Sequence, residues 1–420
     1  MYEKGFVMGP RPSEEQLKYY REGLACFLHF GMNTFTDVEW GDGKASLDEF
    51  DLEEFDFDGY VASIKELGFK RLIFTAKHHD GFCMWHTKVS DYHVGNTMYA
   101  KDFLAELSKA CTKYDINMGI YLSPWDAHEK SYGTGEMYNE FYLKQIEEIC
   151  SSDKYGNDGK FVEWWFDGAK DPKFPHQEYD FDAWMATVRR YNPNILMFGV
   201  GSYGGIHWVG NEKGYAMEPN ISRLPKGVLE IDYKTMFNPL EGQSDSYVWS
   251  VAEADTCTTD GWFWHENEVV KSIDEMINIY MKSIGRGAVL LLNIAANRYG
   301  KIPMEVLNRV KEAKTKIEKM YENPISHGAK CEKFDVEEGL NLIYTFEERV
   351  KIHMLEIMES IEYGQNITDV KIFLDGEIFD SFESIGYNRL IKVESPAYQV
   401  RFEFKGINRV NIKKIEIYEV

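Results

Sequence analysis

Short apolar runs alternate with helix-like stretches through the first three quarters of this 420-residue chain. The runs, each long enough for a buried strand, cover residues 24–30, 71–75, 118–122, 162–166, 195–198 and 288–294. Apolar residues at three-to-four spacing predict helices over 58–67, 100–114, 137–151, 181–191, 266–284 and 304–320. Such alternation predicts parallel strands joined by right-handed crossovers, and its repetition favours a (β/α)8-like TIM barrel.

The alternation of strands and helices is interrupted in two parts of the chain. Residues 199–260 carry little helical signal, which indicates that one or two barrel helices are missing or replaced by loops. After Asn323-Pro324 the segments 340–346, 370–374, 398–404 and 410–417 are β-rich, with a turn signal at Asp375-Gly376. We therefore expect a catalytic barrel over 1–323 and a small C-terminal antiparallel β-sandwich over 324–420.

Composition narrows the function classes. The net charge of −22, without a lysine or arginine run, argues against nucleic acid or an anionic membrane as partner. No stretch approaches the ~18 apolar residues of a membrane span. The six scattered cysteines indicate reduced thiols and not a disulfide frame or a zinc site. Residues 1–10 lack the apolar core of a signal peptide, so we expect a cytoplasmic protein unless a leader has been removed.

The run Phe-Val-Glu-Trp-Trp-Phe-Asp-Gly over residues 161–168 is apolar and aromatic and ends in a carboxylate. Asp167 is therefore expected where a buried strand reaches solvent. In barrels of parallel strands this rim carries the catalytic groups. An aspartate next to Trp164, Trp165 and Phe166 predicts a nucleophile or base that faces a flat apolar ligand such as a sugar ring.

Further polar and aromatic clusters follow other strands or lie in later loops. The candidate residues among them are His29, Glu39, Trp40, His78, His79, Asp80, Tyr121, Glu212 and Trp264. Histidines and carboxylates beside aromatic rings suit sugar hydroxyls and the apolar face of a pyranose. Two carboxylates from different loops also meet the minimum demand of glycoside hydrolysis, in which one attacks and the other donates a proton.

Two other interpretations stay open on the residues alone. A catalytically inactive barrel would use the same cleft to bind glycans. A metal-dependent hydrolase would use His78, His79 and Asp80 as ligands, although no His-x-x-x-His spacing completes the set.

Four ordered motifs carry a resemblance. H-F-G-M-N-T-F with E-W-G, K-H-H-D-G-F, W-F-D-G and W-V-G-N-E resemble the signatures of glycoside hydrolase family 29, the retaining α-L-fucosidases. The match runs from residue 12 to about residue 300, and the tail is similar to the family's C-terminal β-sandwich. The resemblance implies an exo-acting enzyme that removes L-fucose by double displacement, needs no cofactor or metal, and takes fucosylated oligosaccharides or glycoconjugates.

The resemblance also implies residue roles. Asp167 matches the nucleophile that forms a fucosyl-enzyme. The Gly-Asn-Glu motif is similar to the subgroup acting on α-1,3/1,4-linked fucose of Lewis-type glycans, which points to Glu212 as general acid/base. Unchanged activity in Glu212→Ala would move that role to another carboxylate, with Glu218 and Glu163 as candidates. The implied substrate-binding residues are His29, Glu39, Trp40, His78, His79, Tyr121 and Trp264. Oligomeric state and aglycone preference stay open.

Overall fold

A computed structural model describes residues 9–229, 246–407 and 410–419. Eight parallel strands form the first sheet: β1 Leu24–Leu28, β2 Arg71–Lys77, β3 Asn117–Leu122, β4 Glu163–Trp165, β5 Leu196–Phe198, β6 Ile206–Trp208, β9 Val251–Cys257 and β10 Val289–Asn293. A short antiparallel ribbon of β7 Arg223–Pro225 and β8 Tyr247–Trp249 lies between β6 and β9 in the chain. The sheet order β5-β4-β3-β2-β1-β10-β9-β6 brings β5 and β6 together through a bridge between Met197 and Gly205, so the predicted barrel is confirmed as nearly closed.

The described helices are α1 Glu14–Glu22, α2 Met32–Thr36, α3 Phe57–Glu66, α4 Phe103–Lys113, α5 Glu136–Cys150, α6 Phe181–Tyr191, α7 Ile273–Lys282 and α8 Met304–Met320. Two predicted helices start too early: 100–114 begins at Phe103 after the N-cap Asp102, and 266–284 begins at Ile273. Helix α7 begins only at Ile273 because Ser272 and Glu275 form a capping box, with each side chain bonded to the other's backbone N–H. Within the described ranges, no helix is both long and apolar enough to cross a bilayer.

The predicted loss of a barrel helix is confirmed between β5 and β6, while residues 230–245 of the predicted stretch lie outside the described residues. Only a 3-10 turn at Gly201–Tyr203 joins β5 to β6, and no helix occurs in the described residues between β6 and β9. The tight exit from β5 requires Gly199, whose φ is +82° and whose added Cβ would lie 1.7 Å from the Phe166 carbonyl oxygen.

Strands β6 and β9 were not predicted. Three residues are too short for a pattern, and β9 places Glu253 and Asp255 inside an otherwise apolar run.

Below the carboxyl ends of the strands, the barrel interior holds a buried polar network. Arg71 donates to Glu22 at 2.8 Å and to Glu163 at 2.7 Å. Glu253 accepts the Trp165 indole N–H at 2.7 Å and the Tyr19 hydroxyl. Buried charges need partners, and Arg71, Tyr19 and Trp165 supply donors to these carboxyl groups. Burial and the neighbouring charge of Glu253 raise the pKa of Glu163 well above its usual range.

The C-terminal part is antiparallel. Its strands are β11 Lys330–Val336, β12 Gly339–Glu359, β13 Ile367–Leu374, β14 Glu377–Phe382, β15 Arg389–Gly406 and β16 Ile412–Glu419. The long strands β12 and β15 pass through register shifts and share one apolar core with the others, which confirms the predicted β-sandwich. The Asp375-Gly376 turn joins β13 to β14 with φ of 49° and 89°. The predicted boundary after residue 323 falls between α8 and β11 and stays a prediction.

Candidate active site

Asp167 lies two residues beyond β4, at the carboxyl ends of the barrel strands. Its Oδ2 accepts a 2.9 Å hydrogen bond from the Tyr121 hydroxyl, and its Oδ1 accepts a 2.9 Å bond from the Ala169 backbone N–H. The side chain is 27% exposed, so the carboxylate is held by donors yet open to the cleft. This is the environment that a nucleophilic carboxylate requires.

His79 faces the same carboxylate oxygen. Its Nδ1 lies 2.7 Å from the Ser123 hydroxyl, which itself donates to the Trp125 carbonyl, so Nδ1 carries the proton. Burial lowers the pKa of His79, although the charge of Asp167 opposes this shift. The unprotonated Nε2 is 3.7 Å from Asp167 Oδ2, too long for a hydrogen bond. The two atoms are therefore a pair of acceptors available to a hydroxyl group.

His29 is arranged in the same way at the end of β1. Its Nδ1 donates to Asn293 Oδ1 at 2.9 Å, and the Asn293 amide is oriented by its own bond to the Trp262 carbonyl. Burial lowers the pKa of His29 to about 3, so the ring is neutral and Nε2 is an acceptor. Asn293 was missed by the sequence analysis because an asparagine at the end of an apolar strand carries no motif.

His78 completes the histidine group. Its ring centroid is 4.2 Å from that of His79 and 5.8 Å from that of Tyr121. Burial holds its pKa well below the usual range.

The hypothesis of a metal site at His78, His79 and Asp80 gains no support. The described ranges contain no grouping of three His, Cys, Asp or Glu side chains with ligand geometry. Asp80 is buried instead, with Oδ1 accepting from the Phe82 backbone N–H at 3.4 Å.

Glu39 ties the aromatic loop 261–265 to the rim. Its two oxygens accept the backbone N–H groups of Trp262 at 3.0 Å and Phe263 at 3.2 Å, and its Oε1 lies 2.6 Å from His265 Nε2. His265 also contacts Asp37 at 2.8 Å. The observed bonds of Glu39 therefore run to a loop, and its predicted contact with a sugar hydroxyl stays a proposal.

The predicted aromatic residues separate into two kinds. Trp40 is 67% exposed and stands over His79, with 6.3 Å between ring centroids. Around His29 the rings are Trp262 at 5.1 Å and Phe263 at 5.4 Å, while the predicted Trp264 is not among the described rings in contact with it. The stacking role proposed for Trp264 stays untested.

Glu212 shares a cleft of about 440 Å³ with Asp167. Part of its side chain is exposed to solvent, but burial of the rest raises its pKa. The negative charges of Asp167 and Glu39 add to this rise, while a hydrogen bond from Trp262 opposes it. A larger groove of about 960 Å³ beside α3 and α4 includes none of the predicted site residues among its described lining.

A third carboxyl group lines the Asp167 cleft. Asp255, on β9, accepts the Trp208 indole N–H at 2.7 Å and is 3% exposed. Burial raises its pKa to about 7, helped by the charges of Glu212 and Asp167. Its place inside a strand hid it from motif reasoning.

Glu163 and Glu218, the other two candidates for the general acid/base, do not belong to the described lining of this cleft. Glu163 is fully buried in the polar network of the barrel interior, and Glu218 is paired with Arg286 at 2.6 Å and with Arg389.

The family comparison gives a direct result. A family model described as alpha-L-fucosidase matches residues 18–317. Alpha-L-fucosidase 1 of Arabidopsis thaliana is 36% identical over 388 residues, which cover 85% of this chain and 76% of that protein.

Solved structures agree with it. The structure of SpGH29 superposes with a TM-score of 0.90 at 32% identity and covers 98% of this chain and 99% of its own. A Ruminococcus gnavus GH29 fucosidase in complex with fucose gives a TM-score of 0.88 at 32% identity, covering 99% of this chain and 98% of its own.

Proposed function

Because the chain belongs to the α-L-fucosidase family, glycoside hydrolase family 29, we propose that it is a retaining exo-enzyme that removes terminal α-1,3/1,4-linked L-fucose. The observation that carries the mechanism is one cleft with two unlike carboxylates. Asp167 is held by donors from Tyr121 and Ala169, whereas the pKa of Glu212 is raised. Environments that differ in this way separate a nucleophile from a general acid.

The reaction follows from these environments. Asp167 attacks the anomeric carbon while Glu212 gives its proton to the glycosidic oxygen, so the C1–O bond breaks and a β-linked fucosyl ester forms. The ester no longer carries the charge of Asp167, which removes one cause of the raised pKa of Glu212. Glu212 then takes a proton from water, whose oxygen attacks C1. The C1–O bond to Asp167 breaks, which restores the Asp167 carboxylate and releases α-L-fucose.

We propose that fucose binds beside Asp167 where His29, His78 and His79 lie together. The unprotonated Nε2 atoms of His29 and His79 are acceptors for its hydroxyls, and Trp40, Trp262 and Phe263 offer ring surface to its apolar face. His78, Glu39 and Trp264 belong to the same proposed set. A fucosylated oligosaccharide or glycoconjugate is the proposed substrate.

Azide trapping tests the two catalytic assignments together. In Asp167→Gly, azide fits the space of the lost carboxylate and attacks the α-linked substrate directly, giving β-fucosyl azide. In Glu212→Ala, azide attacks the β-linked ester from the opposite face, giving α-fucosyl azide. NMR of the anomeric proton distinguishes the products. The opposite pairing of anomers, or normal turnover in either variant, would overturn the roles.

The linkage proposal rests on the Gly210-Asn211-Glu212 motif and needs its own assay. Release of fucose is measured from matched glycans with α-1,2, α-1,3, α-1,4 and α-1,6 linkages. Preference for the α-1,3 and α-1,4 compounds supports the proposal, and cleavage of the α-1,2 or α-1,6 compound alone contradicts it. Binding of fucose without release of p-nitrophenol from an aryl fucoside would favour an inactive glycan-binding barrel.

A further inference from the structure

The loop that carries Glu212 has an unusual support. It follows β6, and no helix or strand occurs in residues 209–222. A segment without helical hydrogen bonds must satisfy its backbone through outside partners. Those partners show what holds the loop in place.

The first half of the segment is held by α7 and the turn after it. The Ala216 N–H donates to the Lys282 carbonyl at 2.9 Å, and Arg286 donates to the Ala216 carbonyl at 3.0 Å. Gly214 packs closely on α7, since an added Cβ would lie 2.8 Å from the Ile279 side chain. These contacts come from the barrel itself.

The second half is held from two sides, by Tyr20, Ser250 and Arg286 of the barrel and by the C-terminal β-domain. Gln365 accepts the Ser222 N–H at 2.9 Å and donates to the Asn220 carbonyl at 3.0 Å. Ser384 donates to the same carbonyl at 3.2 Å. Gln365 is 3% exposed, so its bonds are sheltered from competing water.

An ion-pair node joins the two halves. Glu218 contacts Arg286 at 2.6 Å on the barrel side and Arg389 on the C-terminal domain. Arg389 is itself mostly buried and stacks 4.4 Å from the centre of the Phe382 ring. The segment is therefore fixed at β6, along α7, and at a second set of contacts that the barrel and the C-terminal domain share.

We infer that Gln365 and Arg389 are positioning residues of the C-terminal domain that keep the loop of Glu212 in place for proton donation. The inference rests on the proposed role of Glu212 as general acid. Neither residue contacts the cleft. Their effect would pass through the backbone of residues 213–222, and a displacement of about 1 Å at a catalytic group can cost up to 100-fold in rate.

Leaving-group dependence separates positioning from general stability. A phenyl fucoside needs a proton on its leaving oxygen, whereas a 2,4-dinitrophenyl fucoside does not. Their kcat/KM values report the first chemical step. For Gln365→Ala we expect kcat/KM to fall about tenfold with the phenyl substrate and to stay within about twofold with the dinitrophenyl substrate.

Three variants control the test. Val370→Ala creates a cavity in the core of the same domain without touching the segment, and it should affect both substrates equally. Arg389→Met should repeat the selective loss if Gln365→Ala does not fold. Arg389→Lys, which keeps a cation beside Glu218, should recover most of it.

Equal losses with both substrates, or no loss, would overturn the inference. Glu212→Ala measured in parallel keeps the two proposals apart. If that variant shows the selective loss and both Gln365→Ala and Arg389→Met do not, only the inference fails. If Glu212→Ala loses nothing with the phenyl substrate, the acid assignment fails first.

Discussion

The Tyr121 hydroxyl donates a 2.9 Å hydrogen bond to Oδ2 of Asp167, and both residues are mounted at the ends of neighbouring strands, β3 and β4. Burial holds the pKa of Tyr121 well above the usual range, and the charge of Asp167 adds to this effect. The phenol therefore remains a donor throughout the working pH range. Two neighbouring strands thus hold the Tyr121 hydroxyl, a hydrogen-bond donor, beside Asp167, the proposed nucleophile.

Tyr121→Phe should lower kcat/KM by roughly 10- to 100-fold, because a hydrogen bond to a charged group contributes about 1.5–3 kcal/mol. The side chain is 1% exposed and the phenyl ring fills the same space, so the fold should be preserved. Steady-state kinetics with an aryl fucoside and a melting curve check this. Unchanged kinetics would show that the bond has no role in attack.

The basic limb of the pH–rate profile should report Glu212. The pKa of this group is raised by burial and by the charges of Asp167 and Glu39. Only its protonated form can give a proton to the leaving oxygen. Activity should therefore fall as pH rises through the raised pKa. The hydrogen bond from Trp262 lowers that pKa, so Trp262→Phe should move the limb to higher pH. A shift to lower pH would contradict this assignment.

Arg71→Met should destabilise the fold by about 3–5 kcal/mol, because it leaves buried carboxylates without their cation. Arg71 pairs with Glu22 and Glu163 and lies 3.6 Å over the Tyr19 ring. Urea unfolding measures the loss. Lys113→Met, which removes an exposed pair with Asp58, is the control and should change little. Adding Glu163→Gln to Arg71→Met should restore part of the loss.

The ion pair between His265 and Glu39 should stabilise the fold less at high pH than at low pH. Burial lowers the pKa of His265, but hydrogen bonds to Glu39 and Asp37 outweigh it and raise the pKa overall. A raised histidine pKa gives stabilisation that is complete below the unfolded value near 6.5 and is lost as pH rises through the folded value. The Tm difference between wild type and His265→Gln should therefore be larger at pH 5.5 than at pH 9. An equal difference at both values would contradict the ion pair.

Much of the fold could be predicted because periodicity is local. Apolar runs placed six barrel strands, and three-to-four spacing placed the matching helices. The two barrel strands that were missed have different causes. Strand β6 is only three residues long, and β9 carries Glu253 and Asp255, whose burial is possible only because Tyr19, Trp165 and Trp208 donate to them.

The sequence alone determined which chemical groups this protein mounts at the strand ends and, through four ordered motifs, the family to which it belongs. Only the tertiary structure decided their states and their supports. Asn293 and Ser123 set the proton positions of His29 and His79, and Asp255 entered the cleft from a distant strand. The physical reason is that hydrogen-bond partners and desolvation depend on neighbours that are distant in the chain, from 44 residues for Ser123 and His79 to 264 for Asn293 and His29, which no local pattern records.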